Sequence, residues 1–372
     1  MDLLKKYTVD KESIKKSSVK VLGNTRIAEF YNKLSKEYDS EVLDRRAFSV
    51  NNCFKMFDLD YFEHAGVKDI KRVNLCHDKF CRNCQNLLAK RRYMKFYPMI
   101  SRLTNKYKAY HVILTVSNVP GDLLNLTLNK MYVAVPQLIR FFNGTRKIKG
   151  IDFKKYGFTG AVRSLEITTK LNANGEVEYH PHFHCLFLLK KGLDEPHTIY
   201  NKFSFDKYHK KENYAFSEME ILIQKLFYLI YNGKRINKKA IEELPLGYSC
   251  RAEKIKTAKV CSEVFKYTLK ESFDDLCQRE DIFQTLYWAL YRRRIIQGYG
   301  CLYDVDFDGG ITEDEIEEFY MKVITSLWKK GAPRRQYLTI SDIVSKIDDD
   351  GIIYISRNSL RSGLFEDKEE SK

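Results

Sequence analysis

Three of the eight histidines stand at every second position in Tyr179-His180-Pro181-His182-Phe183-His184-Cys185-Leu186-Phe187-Leu188-Leu189. The apolar run that follows them predicts a strand. Strand residues two apart share a face. His180, His182 and His184 therefore point one way, and Phe183, Cys185 and Phe187 the other. Two such imidazoles can hold one divalent ion while the ring between them packs into a core. The plain alternative is a row of half-exposed histidines; three in register favour a ligand pair, His182 and His184. Two imidazoles leave coordination positions open, as a catalytic ion requires. The third ligand is either His180, already on the right face, or Glu166 in Arg163-Ser164-Leu165-Glu166-Ile167-Thr168. Hairpin register decides the face of Glu166. An odd number of residues between the paired strands sets it across from His182 or His184. A two-residue Asn174-Gly175 loop turns it away. Oxygen-rich open positions suit Mg²⁺ or Mn²⁺.

A metal beside a nucleophile can cut a phosphodiester, and a nucleophile lies downstream. In Cys261-Ser262-Glu263-Val264-Phe265-Lys266-Tyr267-Thr268-Leu269-Lys270, helical spacing puts Glu263, Tyr267 and Lys270 on one face. Tyrosine is a poor nucleophile at its ordinary pKa of about 10. A lysine and a metal-bound phosphate would favour its phenolate. Glu263 could then activate a water as general base. Taken alone, this stripe is an ordinary solvated face; it gains weight beside the histidine strand.

Cys76, Cys81 and Cys84 follow a C-x4-C-x2-C spacing, a pattern for structural Zn²⁺. Tetrahedral closure needs a fourth ligand from Cys53, His77 or His64. Cys53 is favoured, because a structural site usually ties distant segments together. Next comes a basic amphipathic helix, with Lys90, Arg91, Arg92 and Lys95 suited to phosphate contact. Residues 304–315, Asp304-Val305-Asp306-Phe307-Asp308-Gly309-Gly310-Ile311-Thr312-Glu313-Asp314-Glu315, match an EF-hand loop that would bind Ca²⁺. Context argues against that: Gly298-Tyr299-Gly300 interrupts the entering helix and no second hand is present.

The elements that must position these groups read as α+β, a central antiparallel sheet with helices packed on it, plus an N-terminal zinc-binding segment. Tyr110–Val116 and Ala161–Thr169 are predicted strands, with Asn174-Gly175 turning into the histidine strand. Leu123–Phe142, Asn213–Tyr231, Thr257–Ser272 and Ile282–Ile296 are predicted helices. Residues 1–45 read as a charged arm with one helix near Ile27–Tyr38, 46–105 as the zinc segment with its basic helix, 106–300 as the main domain with an insertion at about 195–259, and 301–372 as an acidic extension. Lys+Arg outnumber Asp+Glu by 64 to 49, a net +15, which favours polyanionic partners, nucleic acid first. No run of about 18 apolar residues could span a membrane. The charged N-terminus lacks a signal peptide's apolar run. Nine cysteines without such a signal fit a reducing cytoplasm better than a disulfide framework.

Together these pieces resemble the plasmid rolling-circle replication initiator proteins of the HUH endonuclease superfamily. The resemblance runs from Cys53 to about Gly300. It rests on the cysteine cluster, Leu114-Thr115-Val116-Ser117-Asn118-Val119-Pro120-Gly121, the Arg163–Thr168 strand, His180–His184, Glu263-x-x-x-Tyr267-x-x-Lys270, and Arg292-Arg293-Arg294-Ile295-Ile296 with Gly298 and Gly300. It implies that Tyr267 nicks one strand at a plasmid double-strand origin, single-stranded or hairpin at the nick site. The products would be a 5′-phosphotyrosyl link and a 3′-OH primer, with metal ligation by His182 and His184. Glu263 stands where one branch of the family directs terminating hydrolysis. A host helicase, single-strand binding protein and polymerase are the implied partners. A related HUH relaxase or transposase is the nearest alternative. A non-catalytic zinc-dependent DNA-binding regulator is a second, in which Tyr267 is incidental.

Overall fold

Asn172-Ala173-Asn174-Gly175-Glu176 turns the chain between its two longest strands. The Asn172 side chain accepts hydrogen bonds from the amides of Asn174 (2.9 Å) and Glu176 (3.0 Å). Gly175 sits at φ +78°, where a side chain would be strained. Its amide donates back to the Asn172 carbonyl at 3.0 Å. A tight turn followed by a left-handed glycine is a common three-residue hairpin loop. Pairing starts at Leu171↔Val177, so five residues separate the paired positions.

The computed structural model describes residues 2–85, 87–88, 103, 106–194, 196, 198–201, 213–245, 250–255, 279–303, 313–348 and 351–357. The chain divides into two units: Met99–Ser272 with Thr285–Asp306, and Met1–Pro98 with Phe273–Gln284 and Phe307–Lys372.

The first unit is built on the long hairpin. Its strands are β3 (Lys108–Thr115), β4 (Val119–Pro120), β5 (Phe158–Leu171), β6 (Val177–Leu189), β9 (Cys250–Lys254) and β10 (Ile296–Gly300). They form one antiparallel sheet in the order β10-β5-β6-β3-β9, with β4 pairing to β6. Helix α4 (Gly121–Phe142) covers one face. Its Tyr132 meets Phe183 and its Phe142 meets Phe187, at ring separations of 5.4 and 6.4 Å. Helix α5 (Glu218–Tyr231) is closed at its start by a reciprocal Ser217/Glu220 capping box. Glu220 also accepts from the Ala252 amide at 2.7 Å, which ties α5 to β9. Helix α6 (Lys238–Glu243) and the hairpin of β7 (Thr198–Asn201) with β8 (Asn213–Phe216) complete its described elements.

The other unit contains helices α1 (Asp2–Tyr7), α2 (Lys11–Tyr38) and α3 (Glu41–Asn51). It has a four-stranded sheet in the order β11 (Arg334–Thr339), β1 (Met56–Phe62), β2 (Val67–Val73), β12 (Ile353–Ile355). Helices α8 (Glu313–Trp328) and α9 (Ile340–Val344) also belong here. Buried Asp69 breaks the apolar face of β2 and accepts a 2.5 Å hydrogen bond from Tyr320.

Several sequence expectations change. The supposed arm is a 28-residue helix started by Asp10, whose carboxylate accepts from the Glu12 and Ser13 amides. The 1–45, 46–105 and 301–372 segments contribute to a single unit. The 195–259 segment is more than an insertion, because it supplies edge strand β9. Asn213–Phe216 is strand, and the helix begins only after Ser217. The Ile282–Ile296 helix is shorter: α7 spans Glu280–Leu290, and Arg292 then takes a left-handed φ of 53°. Residues 296–300 follow as β10, so a strand stands where an EF-hand needs its entering helix. Residues 304–312 of that loop lie outside the described residues, as does the Thr257–Ser272 helix.

The glycines of Gly298-Tyr299-Gly300 are needed by this edge strand. A Cβ on Gly298 would collide with the Leu302 carbonyl, and Gly300 has φ +61°. Gly298→Ala is expected to destabilise the unit by about 3 kcal/mol, read as a lowered urea midpoint. An unchanged midpoint would show that the backbone yields there.

Candidate metal centres

Five residues between the paired strands is an odd count, and it sets Glu166 directly opposite His182. Ser164, Glu166 and Thr168 of β5 therefore share a face with His180, His182 and His184 of β6. On the other side, β3 pairs Ile113 with His184 and Thr115 with His182. This brings His111 and Thr115 onto the same face. The opposite face, with Arg163, Leu165, Phe183 and Phe187, is apolar but for the arginine and lies under α4.

The Glu166 Oε2 atom lies 3.0 Å from His182 Nε2 and 2.5 Å from His184 Nε2. The three ligand atoms all fall within 4.8 Å of one another. Cis ligands on an octahedral ion with bonds of about 2.1 Å stand about 3 Å apart, so the spacing fits one divalent ion. The tautomers fit as well. His182 Nδ1 lies 3.2 Å from the His180 carbonyl, an acceptor that would hold the ring proton on Nδ1 and free Nε2 when an ion is bound. His184 Nδ1 is hydrogen-bonded to His111 Nε2 at 2.8 Å, with the rings stacked 5.0 Å apart. Fixing the far nitrogen of a ligating imidazole is the usual outer support of a metal site. Burial pushes the Glu166 carboxyl up, but hydrogen bonds from His182 and His184 outweigh it and bring the pKa down to about 2. The group is ionised at neutral pH, as a ligand to a hard cation must be.

Of the two alternatives for the third ligand, the structure brings Glu166 to the histidine pair. His180 Nε2 is instead hydrogen-bonded to Thr115 Oγ1 at 2.6 Å. Burial, aided by His182 and Lys170, pushes His180 down to about 4. His111 was not among the sequence candidates. Its signal is parity with Thr115 on β3, which has meaning only once the β3–β6 register is known.

Four sulfurs form a second cluster, in the other unit. Cys53, at the end of α3, joins Cys76, Cys81 and Cys84. Sulfur separations are 3.5 Å for Cys53–Cys84 and Cys53–Cys81, and 3.6 Å for Cys76–Cys84. Tetrahedral zinc with bonds of about 2.3 Å needs sulfurs about 3.8 Å apart, so the cluster could hold zinc after slight expansion. Backbone amides already point at the sulfurs: His77 to Cys84 at 3.2 Å, Asp78 to Cys76 at 3.4 Å, Cys84 to Cys81 at 3.5 Å. Hydrogen bonds from Cys53, Cys76 and Cys81 pull the Cys84 thiol down, and the other three thiols go up. One negative charge is tolerated there, and further thiolates call for a cation. His77 contributes its amide and a left-handed φ of 54°, and His64 lies beside Gly331; neither joins the cluster. Buried Asp78 fastens the loop to α2, accepting from the Tyr31 hydroxyl at 3.0 Å and from the Phe80 amide at 2.8 Å.

Tyr267, Glu263 and Lys270, and the basic residues Lys90, Arg91, Arg92 and Lys95, lie outside the described residues. Among the described residues, no helix is long and apolar enough to cross a membrane.

A family described as "Replication protein" matches residues 67–200. That stretch contains Cys76, Cys81, Cys84, His111, Glu166, His182 and His184. In this stretch the chain is similar to replication proteins. It is similar to "Protein rep" of Streptococcus pneumoniae serotype 2 (strain D39 / NCTC 7466), 26% identical across 66% of this chain and 73% of that protein. It is also similar to "Protein rep" of a Bacillus sp., 24% identical across 75% and 85%. "Protein rep" of Bacillus amyloliquefaciens is 26% identical across 44% and 45%. No solved structure matches the chain significantly. The resemblance to replication initiators is met by these matches, which speak to replication and not to a nicking chemistry.

The sulfur cluster gives a direct test. The purified protein is expected to carry zinc, measured by plasma mass spectrometry. Cys53→Ser should lose it and melt at lower temperature, whereas His77→Ala should keep it. Equal zinc in the wild type and Cys53→Ser would exclude Cys53 as a ligand.

Proposed function

We propose that this replication initiator nicks one strand of plasmid origin DNA with Tyr267 as nucleophile, at the site formed by Glu166, His182 and His184. The observation that carries the reading is the convergence of two imidazole nitrogens and one carboxylate oxygen on a single point of the sheet face that looks away from α4. Such a two-histidine, one-carboxylate set leaves positions for substrate oxygens. A Mg²⁺ or Mn²⁺ ion bound there would polarise the scissile phosphate and stabilise charge on its oxygens. The protein's own residues do the rest. His111 and the His180 carbonyl hold the two ligand rings in their working tautomers. The Tyr267 oxygen bonds to phosphorus as the P–O3′ bond breaks, and the 3′ oxygen takes a proton and leaves as the primer hydroxyl. Lys270, three residues on in sequence, favours the phenolate by its charge. Glu263, four residues earlier in sequence, draws a proton from water in the hydrolysis that ends the round.

Sequence supports the roles of Tyr267, Glu263 and Lys270 through their helical spacing and the family resemblance. The sulfur cluster and the basic segment with Lys90, Arg91, Arg92 and Lys95 fit a DNA-engaging module that uses phosphate contacts for register. A regulator that only bound DNA would have no use for an ionised carboxylate between two imidazoles.

Tyr267→Phe is expected to bind origin DNA with near wild-type affinity and to form no covalent adduct, read on a denaturing gel with a 3′-labelled nicked strand, whose labelled end stays with the phosphotyrosyl product. Adduct in the variant would remove Tyr267 from the reaction. For Glu263→Ala, nicking should proceed while multimeric products accumulate in a replication assay. Normal termination would dismiss Glu263 as the hydrolytic base.

A further inference from the structure

The arginine triplet Arg292-Arg293-Arg294 has no part in the nicking site. Residues 285–303 contain these three arginines, five aromatic residues and no Asp or Glu. Arg293 acts as an anchor. Its Nε donates to the Ala289 carbonyl at 2.6 Å, and its Nη2 donates to Asn129 Oδ1 at 2.7 Å and to Asn125 of α4. A second anchor lies beneath. Buried Arg163 donates to the Tyr299 hydroxyl at 2.9 Å and to the Arg294 carbonyl at 3.5 Å, with its guanidinium 4.2 Å from the Tyr132 ring centre. The Tyr132 hydroxyl donates to the same Arg294 carbonyl at 3.0 Å. These bonds hold the backbone after α7 in a fixed turn.

The turn presents a particular set of side chains. Trp288 and Tyr291 are 41% and 46% exposed, with ring centres 6.0 Å apart. Arg292 lies 5.3 Å above the Tyr291 ring, carried there by its left-handed backbone at φ 53°. A non-glycine residue held in that region is strained unless its surroundings enforce it. Arg294 is exposed beside them and bonds only to a neutral partner in the contacts described, Gln297 at 2.8 Å. Exposed aromatic faces interleaved with arginines, in a segment without Asp or Glu, suit a ligand with flat faces and repeated negative charge.

We infer that the Trp288–Arg294 turn is a second DNA-contact surface, taking unpaired bases by stacking on Trp288 and Tyr291 and their phosphates on Arg292 and Arg294. A duplex offers phosphates but hides its base faces, so the aromatic pair selects single strands. Arg163 and Phe183 face α4, whereas Glu166 and His182 face away from it. The surface therefore belongs to the helix-covered side of the sheet, apart from the nicking site. It suits unpaired DNA beyond the scissile phosphate rather than the scissile phosphate itself. This inference rests on the reading of the protein as a DNA-handling initiator, and its test is separate from nicking.

The test uses the full chain with Tyr267→Phe, to prevent cleavage, and Trp328→Phe, which leaves Trp288 as the remaining tryptophan. Titration with oligothymidylate of about 16 nucleotides should quench Trp288 fluorescence. The same oligomer annealed to oligoadenylate should quench little. In the Tyr267→Phe background, Trp288→Ala should weaken the anisotropy-measured affinity for labelled oligothymidylate at least about fivefold. Arg292→Gln, which leaves the aromatics in place, should lower the salt slope of binding by about 0.7. Unquenched Trp288 in a saturated complex, or wild-type affinity in both variants with native circular dichroism, would overturn the surface. A chain with intact Tyr267 that forms the covalent adduct while Trp288 stays silent loses this inference alone. Quenching without any adduct keeps the surface and defeats the nicking proposal.

Discussion

The register of one hairpin governs the chemistry available to this protein. Side chains alternate across a strand, so a slip of one residue exchanges every group on the two faces. With five residues between β5 and β6, Glu166 meets His182 and the apolar residues meet α4. With four or six, the carboxylate would go into the core and Leu165 would face the histidines. Both outcomes are costly, since a lone buried carboxylate finds no partner there. The turn that sets this count depends on Asn172 and on the left-handed Gly175, far from the ligands themselves. A loop that touches nothing at the site thus determines whether the site exists.

Much of this first unit was legible in sequence. The strands at Tyr110–Val116 and Ala161–Thr169, the hairpin and the α4 helix all carry clean periodicity. The choice between Glu166 and His180 was not legible, because it depends on loop length counted from paired residues. His111 was hidden for a related reason: its closeness to His184 is a diagonal contact between strands about 70 positions apart in sequence. β9 was missed because Cys250-Arg251-Ala252-Glu253-Lys254 is mostly charged, as an edge strand can be. The end of α7 was missed because the chain stops the helix with an arginine in the left-handed region, where glycine or asparagine is the ordinary signal.

The other unit was read less well, for physical reasons visible in its residues. Met56-Phe57-Asp58-Leu59-Asp60-Tyr61-Phe62 does alternate, but the cysteines that follow suggest an irregular metal-binding segment. Strand β2 spoils its own pattern by turning Asp69 inward, where Tyr320 from a distant helix accommodates it. The partner strands β11 and β12 come from beyond residue 330, and no local signal tells a strand where it will pair. Cys53 was legible as the fourth sulfur on the argument that a structural site joins remote segments. The joining is seen here: Cys53 at the end of α3 meets a loop that Asp78 fastens to Tyr31 of α2.

That same unit is assembled from three separate stretches of chain. Strand β12 lies parallel to β2, and the Tyr354 carbonyl accepts from the Val9 amide at 2.7 Å. Ribosomes deliver the chain in order, and contiguous regions are free to fold as they emerge. Here a partner of the earliest helices arrives only after residue 353 has been made. The nascent polypeptide must therefore keep β2 paired to β1 alone on one edge, without β12, through most of translation, with all four cysteines of the sulfur cluster already made by residue 84. The four sulfurs, all made early, thus join α3 to the loop after β2 long before the last strand of that sheet exists.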